Sequence, residues 1–305
     1  DSPEGRPFDE NGKPSFPFPS DFIIEYTGQL RGWFYYLHVL SNALFGDVAF
    51  KNVIVSGVLA GTDGRKMSKS YGNYPDPKLT LDKYGADALR MYFMQSSIMQ
   101  SDDTSMNEKD VQDALRKNIM ILWNVVKFYD MFADEIDAGD TKPEDSGNVL
   151  DKWILSRLSQ LIATVTENME IYNIPAASRP ITPFIDELST WYVRRSRDRF
   201  KSGDDKDKAQ AMATCRYVLE SLAKVIAPVT PFIAEQVWQK VTGFNFEDKD
   251  KSVHLESWPE LGVIDKAVIE EMSATRKVVE LALKARDEAG IKVRQPLREL
   301  IVAAP

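Results

Sequence analysis

The stretch Gly64-Arg65-Lys66-Met67-Ser68-Lys69-Ser70-Tyr71-Gly72-Asn73 places three cations among small hydroxylated side chains, with a further glycine at 61. Lys66 and Lys69 are three apart, so in one tight turn both ammonium groups can lie on the same side of the chain. Ser68 and Ser70 add hydroxyl donors, and the glycines let the backbone come close to an anion. Compact, mobile charges of this kind suit a polyphosphate whose negative charge grows in a transition state. The competing reading is that two lysines and two serines on a loop are simply solvated. Against it stands the strand-like run Asn52-Val53-Ile54-Val55-Ser56-Gly57 just ahead of the loop, because ligands gather beyond strand ends in open parallel sheets.

A second cluster comprises Arg194, Arg195, Arg197, Arg199 and Lys201, opposed only by Asp198, a local net charge of +4 in a chain of formal net charge −8. Arg195 and Arg199 are four apart and share a helix face, while Phe184, Leu188, Trp191 and Tyr192 mark the buried side. Guanidinium forks match phosphate geometry, so the stripe reads as a local footprint for nucleic acid. The alternatives are a solvated face or internal pairs with Asp186 and Glu187. The acidic balance of the whole chain argues against general coating of nucleic acid.

Cys215 is the only cysteine, and His38 and His254 are the only histidines. An internal disulfide is excluded, too few soft ligands remain for zinc, and no residue is assigned to a metal. A lone thiol points to a reducing compartment. The sequence has neither a charged-then-apolar leader nor an apolar stretch of spanning length, so the chain is expected to be soluble and cytoplasmic.

These residues must be held by ordinary globular structure: 305 residues, 43% hydrophobic and 28% charged, suffice for two units with cores. Residues 1–20 have the proline and glycine content of a loop and read as a linker from an upstream region. Phe22-Ile23-Ile24 predicts a strand, Trp33 to Phe45 a buried helix capped by Gly46, and Val53 to Val58 a second strand that leads into the lysine loop. Asp76-Pro77 opens a helical region that continues to about residue 240. Apolar stripes at Ile119, Leu122, Trp123 and Val126, at Ile154, Leu158, Leu161, Ile162 and Val165, and at Cys215, Val218, Leu219, Leu222 and Ile226 are core faces. Asp134 to Asp151 reads as an exposed connection and Ser202 to Asp207 as a loop. Pro228 and Pro231 bracket the entry to a helix with Phe232, Val237 and Trp238. Residues 243–264 look irregular, Ser273 to Ala289 predicts a last helix, and Leu300-Ile301-Val302-Ala303 predicts a strand.

The lysine run is similar, letter for letter, to the Lys-Met-Ser-Lys-Ser signature of the class I aminoacyl-tRNA synthetases, which binds ATP and stabilises departing pyrophosphate. The resemblance extends from Asp21 to about Leu297, and its details look like the isoleucyl branch. Gln29-Leu30-Arg31-Gly32-Trp33-Phe34-Tyr35, Trp191 to Phe200 and Ile291 to Leu297 carry that choice. The valyl and leucyl branches share the lysine loop but lack the Arg194-Arg195-Ser196-Arg197 run.

The resemblance implies an α/β fold followed by mainly α structure: the C-terminal half of a Rossmann-type nucleotide fold, then an α-helical bundle that binds the anticodon stem. It implies residues 21–105 for the nucleotide part, 106–242 for the helical domain and 243–305 for a connecting segment and the start of a further region. Lys66 and Lys69 would be the catalytic charges. Glu25, Gln29, Ser68 and Ser70 would join them around ATP and the adenylate, and Arg194, Arg195, Arg197 and Arg199 would contact tRNA. Gly28 departs from the family, where aspartate is usual, which puts one adenylate contact in doubt. The implied substrates are ATP with Mg²⁺, L-isoleucine and tRNA(Ile), and Mg²⁺ would travel with ATP rather than in a protein cage. The family's His-x-Gly-His motif surrounds neither His38 nor His254. That half-site, with the editing domain, is expected upstream of residue 1, and the chain by itself should be inactive. The alternatives are a valyl enzyme, or a synthetase-derived RNA-binding module without catalysis.

Overall fold

The computed structural model of the chain describes residues 17–61, 64–65, 67, 70–73, 76–133, 141–248 and 250–302. They fall into two compact units that interleave along the sequence. The first gathers Asp1–Leu122, Thr164–Pro183 and Ile226–Ala234, and the second Trp123–Ala163, Phe184–Val225 and Glu235–Pro305.

The first unit opens with β1 (Ser20–Tyr26), α1 (Trp33–Phe45) and β2 (Phe50–Ser56). β-Branched and aromatic residues make the two strands, which pair in parallel with Ile24 opposite Ile54 and Glu25 opposite Val55. Parallel strands need a crossover, and α1 supplies it. The helix differs from the buried one expected. Phe34 and Ser41 are buried, with the Phe34 ring 5.8 Å from Phe50, whereas Tyr35, Tyr36, Leu40 and Leu44 are exposed. A two-stranded sheet can cover only one face of a helix that is apolar all round.

Beyond β2, β3 (Leu59–Ala60) pairs in parallel with β4 (Thr104–Ser105). Between them lie the lysine loop, α2 (Pro77–Tyr84, capped by the Asp76 side chain) and α3 (Ala86–Gln95). α3 grips the start of α11 (Pro231–Thr242) and the residues before it: Asp87 accepts from the N–H groups of Phe232 and Ile233, at 3.4 and 2.6 Å, and Arg90 donates to the carbonyls of Pro228 and Val229. A buried carboxylate thereby meets the unpaired donors of a helix start. α4 (Glu108–Ala114) runs through a π-helical turn, Leu115–Met120, into α5 (Ile121–Ala133). There the Asn118 amide donates to the Ala114 carbonyl and its oxygen accepts from Thr182. α7 (Ile174–Ser178) completes this unit's short helices.

The second unit is helical. It takes in most of α6 (Val149–Glu170), α9 (Arg194–Phe200) and α10 (Asp205–Ile226), with α12 (Lys266–Glu288). α8 (Ile181–Asp186) reaches α9 through a second π-helical turn, Glu187–Val193. The stripes of α6 and α10 are buried as expected, and Trp153, Tyr192, Phe200 and Trp238 are among the largest fully buried side chains. Asp151 corrects the sequence reading: it is no part of an exposed connection but sits in the first turn of α6 with 0% exposure. α12 begins at Lys266, capped by Asp265, seven residues ahead of expectation. Residues 300–302 are irregular and exposed rather than a strand, since among the described residues no neighbouring strand offers them a ladder. The chain beyond Gly290 instead folds back so that Arg286 donates to the carbonyls of Lys292, Val293 and Gln295.

Cys215 lies wholly inside this core, and burial pushes its thiol from 9.0 up to about 12. The folded chain therefore keeps a proton that the unfolded chain releases, so stability is undiminished below pH 9.0 and falls as pH rises toward 12. Urea midpoints taken from about pH 8 to about pH 11 are expected to fall less steeply in Cys215→Ala than in the parent.

Candidate functional site

The residues expected to meet ATP begin where β1 ends. Glu25 is half-buried, and its Oε2 accepts from the N–H of Tyr26 at 3.3 Å. A 3₁₀ turn, Thr27–Arg31, follows, and within it the Gln29 Oε1 accepts from the N–H of Trp33 at 3.1 Å. Gln29 thus satisfies one of the four donors that the start of α1 leaves unpaired. Its amide NH₂ has no partner among the described residues. A Cβ at Gly28 would lie 2.4 Å from the Tyr26 ring, so an aspartate there would have to displace that ring.

At the end of β2 the chain passes close to a turn. A Cβ at Gly57 would stand 2.0 Å from the Asp102 carbonyl oxygen, which leaves room for glycine alone. Gly57 donates to the Ile98 carbonyl at 2.8 Å and Val58 to the Asp103 carboxylate at 2.8 Å. This close approach fixes the strand end from which β3 and the lysine loop leave. Of the loop's expected ligands Lys66, Ser68 and Lys69 lie outside the described residues, while Ser70 is exposed in the turn that follows. Among the described residues no group of three His, Cys, Asp or Glu side chains could hold a metal ion.

The basic cluster occupies α9. Arg194, Arg195 and Arg197 are exposed. The Arg195 guanidinium stacks 4.2 Å from the Trp191 ring centre and Arg197 stands 5.8 Å from that of Phe128, contacts that set the side chains' direction without using up their charge. Glu187 does not pair with this cluster: it accepts from Arg157 at 2.8 Å and from Arg276.

Arg199 is placed differently from its neighbours. Its Nη1 and Nη2 each donate to an Asp151 oxygen at 2.8 Å, and its Nε donates to Asp207 at 2.9 Å. Asp151 also accepts from the Tyr192 hydroxyl at 2.9 Å and the Ser146 hydroxyl at 2.5 Å. Burial works against the charge of Arg199, but the two carboxylates more than offset it and hold its pKa above the ordinary arginine value. Burial, then the negative charge of Asp151, raises the Tyr192 hydroxyl well above its usual range, so it stays a donor. Asp151, Asp207 and Ser146 went unnoticed as partners in the sequence. A signal was present: Asp151 is in helical phase with Ile154 and Leu158, and Arg199 with Leu188 and Tyr192.

Removal of one partner from a buried, hydrogen-bonded pair is costly. Arg199→Ala is expected to lower stability in urea unfolding by about 3–5 kcal/mol, against less than about 1 kcal/mol for exposed Arg194→Ala. Equal losses for the two variants would contradict the assigned roles.

Two family models match the chain. Residues 2–107 match the tRNA synthetases class I (I, L, M and V), and residues 151–301 match the anticodon-binding domain of tRNA ligase. Similar curated proteins include the isoleucine–tRNA ligase of Leifsonia xyli subsp. xyli, 40% identical over 290 residues, which cover 94% of this chain and 25% of that protein. The isoleucine–tRNA ligase of Chlamydia trachomatis serovar D is 41% identical over 302 residues, 97% of this chain and 29% of that protein. That of Chlamydia caviae is 40% identical over 306 residues, 98% of this chain and 29% of that protein. The chain thus spans between 25% and 29% of the length of these relatives. Among solved structures, LeuRS of Agrobacterium radiobacter, in a ternary complex with tRNA and LeuAMS, matches with a TM-score of 0.60 and 21% identity over 82% of this chain and 29% of that one. At that identity the likeness speaks for the fold: a Rossmann-like start followed by a helical domain.

Proposed function

The chain belongs to the class I tRNA synthetases, and we propose that it is the part of an isoleucine–tRNA ligase that carries the pyrophosphate-stabilising loop and the grip on the anticodon stem. The observation that carries this reading is the lysine run, set within a span about 40% identical to isoleucine–tRNA ligases over nearly its whole length. In the reaction, an isoleucine carboxylate oxygen attacks the α-phosphorus of ATP, the bond to the β-phosphate oxygen breaks, and pyrophosphate leaves. The acyl group then passes to the terminal adenosine of tRNA(Ile).

No nucleophile from the chain is needed: Lys66 and Lys69 offset the charge that grows on the leaving phosphates. Ser68 and Ser70 add donors, and Mg²⁺ enters with ATP as part of the substrate. Glu25 and Gln29, at the C-terminal end of β1, supply an acceptor and amide donors to the adenylate, where open parallel sheets hold their ligands. Residues 21–105 act as the nucleotide part, 106–242 as the helical domain and 243–305 as the connection beyond it. Arg194, Arg195 and Arg197 face RNA phosphates, and Arg199 holds their helix in place through Asp151 and Asp207. A protein that carries this sequence and charges tRNA(Val) in preference to tRNA(Ile) would overturn the isoleucine assignment.

Lys69→Ala in such a ligase is expected to remove roughly 2.7–4 kcal/mol of transition-state stabilisation. In pyrophosphate exchange this lowers the rate constant and leaves the isoleucine KM in place. A raised isoleucine KM with an unaltered rate constant would refute the role.

The 305-residue chain itself is expected to bind tRNA with a marked salt dependence. Combined Arg194→Ala, Arg195→Ala and Arg197→Ala should flatten the plot of log affinity against log salt, by about 0.9 for each duplex phosphate that the variant no longer neutralises. An unaltered slope would show that these side chains do not meet phosphate.

A further inference from the structure

We infer that a cavity of about 370 Å³ in the first unit, walled by α3, by α4 with the π-helical turn after it, and by residues 179–182, is a binding site for a small amphoteric molecule, one ammonium and one carboxylate joined by a short apolar chain. The inference stands apart from the ligase reading. α3 packs against α4, against the π-helical turn and against α7. Helix faces that meet in this way are apolar as a rule, since that is how they bury surface. Around this cavity they are polar. Tyr92 and Gln95 face it from α3, and Asp110, Asp113, Lys117 and Asn118 face it from α4 and the turn, at the spacing of a single helix face. π-Helical turns are themselves frequent at functional sites.

Part of the wall is fixed by a chain of hydrogen bonds. The Gln95 amide donates to the Thr182 hydroxyl at 2.9 Å and to the Ser178 carbonyl at 3.1 Å. Thr182 donates to the oxygen of buried Asn118 at 2.7 Å, and the Asn118 amide donates to the Ala114 carbonyl at 3.0 Å. Asp113 spends its charge on Arg116 and Lys117. Asp110 and Arg179 do not spend theirs. Among the described residues the Asp110 carboxylate accepts no hydrogen bond, and Arg179 donates only through Nε, to the Gln95 carbonyl at 2.8 Å, so its two terminal nitrogens are left over. The two line one cavity without forming an ion pair with each other. Burial, then the charge of Asp110, raises the Tyr92 hydroxyl above its ordinary range, so a protonated hydroxyl lies within the field of that carboxylate.

The cavity thus offers Asp110 to an ammonium and the Arg179 fork to a carboxylate, with Ala114 and the Tyr92 ring as apolar wall. Its volume lies in the range of small-molecule sites. Exposed ion pairs are weak one at a time, so a ligand with a single charge gains little. When both charges belong to one molecule, the first contact raises the effective concentration for the second.

The probes are γ-aminobutyrate and ε-aminocaproate, which differ in the distance between their charges, each compared with the plain amine and the plain acid of the same chain length. In chemical-shift titrations of the 305-residue chain, at least one of the two is expected to bind about tenfold more tightly than both of its single-charge counterparts. Asp110→Asn should reduce that affinity to the level of the acid, and Arg179→Gln to the level of the amine. Both substitutions keep the approximate shape, and glutamine keeps a donor for the Gln95 carbonyl. Acid binding preserved in Asp110→Asn and amine binding preserved in Arg179→Gln show that the cavity is intact, and Arg194→Ala, in the second unit, should bind like the parent. The parent decides the matter even if a variant fails to fold: no advantage of either amphoteric probe over its counterparts would overturn the inference, as would tight binding that survives either substitution.

Discussion

Asp151 has no contact with water, and a carboxylate in that position needs every direction of its oxygens met by a donor. Four donors converge on it: both terminal nitrogens of Arg199, the Tyr192 hydroxyl and the Ser146 hydroxyl. These residues come from the head of α6, the approach to α6, the π-helical turn before α9, and α9 itself. Since Arg199 also holds Asp207 in the first turn of α10, one guanidinium fixes three helix ends of the second unit against each other. Bidentate Arg–carboxylate geometry carries direction as well as energy, so the network sets how α9 is rotated about its axis. That rotation decides which arginines face outward.

With Arg199 turned inward, Arg194, Arg195 and Arg197 keep their exposure. A +4 run on an acidic chain would otherwise be a diffuse patch. Here one cation is neutralised inside the fold and two others are braced by aromatic rings, Arg195 on Trp191 and Arg197 near Phe128. Stacking leaves the N–H edges of a guanidinium available for phosphate. The acidic remainder of the chain weakens attraction elsewhere, which favours a defined orientation of a polyanion over indiscriminate contact.

The first unit rests on a different constraint, the close approach of backbone to backbone. Gly57 passes the Asp102 carbonyl where no side chain could fit, so β2 ends at a fixed point and the small β3–β4 pair takes over. Glu25 and Gln29 sit at the matching end of β1, and Gln29 is held by the α1 N–H it caps. Arg65 presents one carbonyl to both limbs of the lysine loop. Each element here is short, and each is stabilised by its neighbours rather than by its own length.

Local chemistry was enough to read much of this from sequence. Periodicity located the buried faces of α6 and α10, β-branched runs located β1 and β2, and the lysine run pointed to the family whose models match the chain, because these signals lie within a few residues of one another. Other features depend on residues far apart in the chain. α1 is exposed on one face because only two strands lie against it, which no property of Trp33 to Phe45 could reveal. Both π-helical turns interrupt patterns that read as uniform helix, since one extra residue in a turn leaves hydrophobic spacing almost unaltered. Asp151 and Arg199, 48 positions apart, each stood in phase with an apolar stripe and were read singly as loop acid and surface cation. The sequence by itself determined which residues carry charge and which faces are apolar; only the tertiary structure decided which charges meet inside, because burial and partner are properties of packed helices rather than of any one of them.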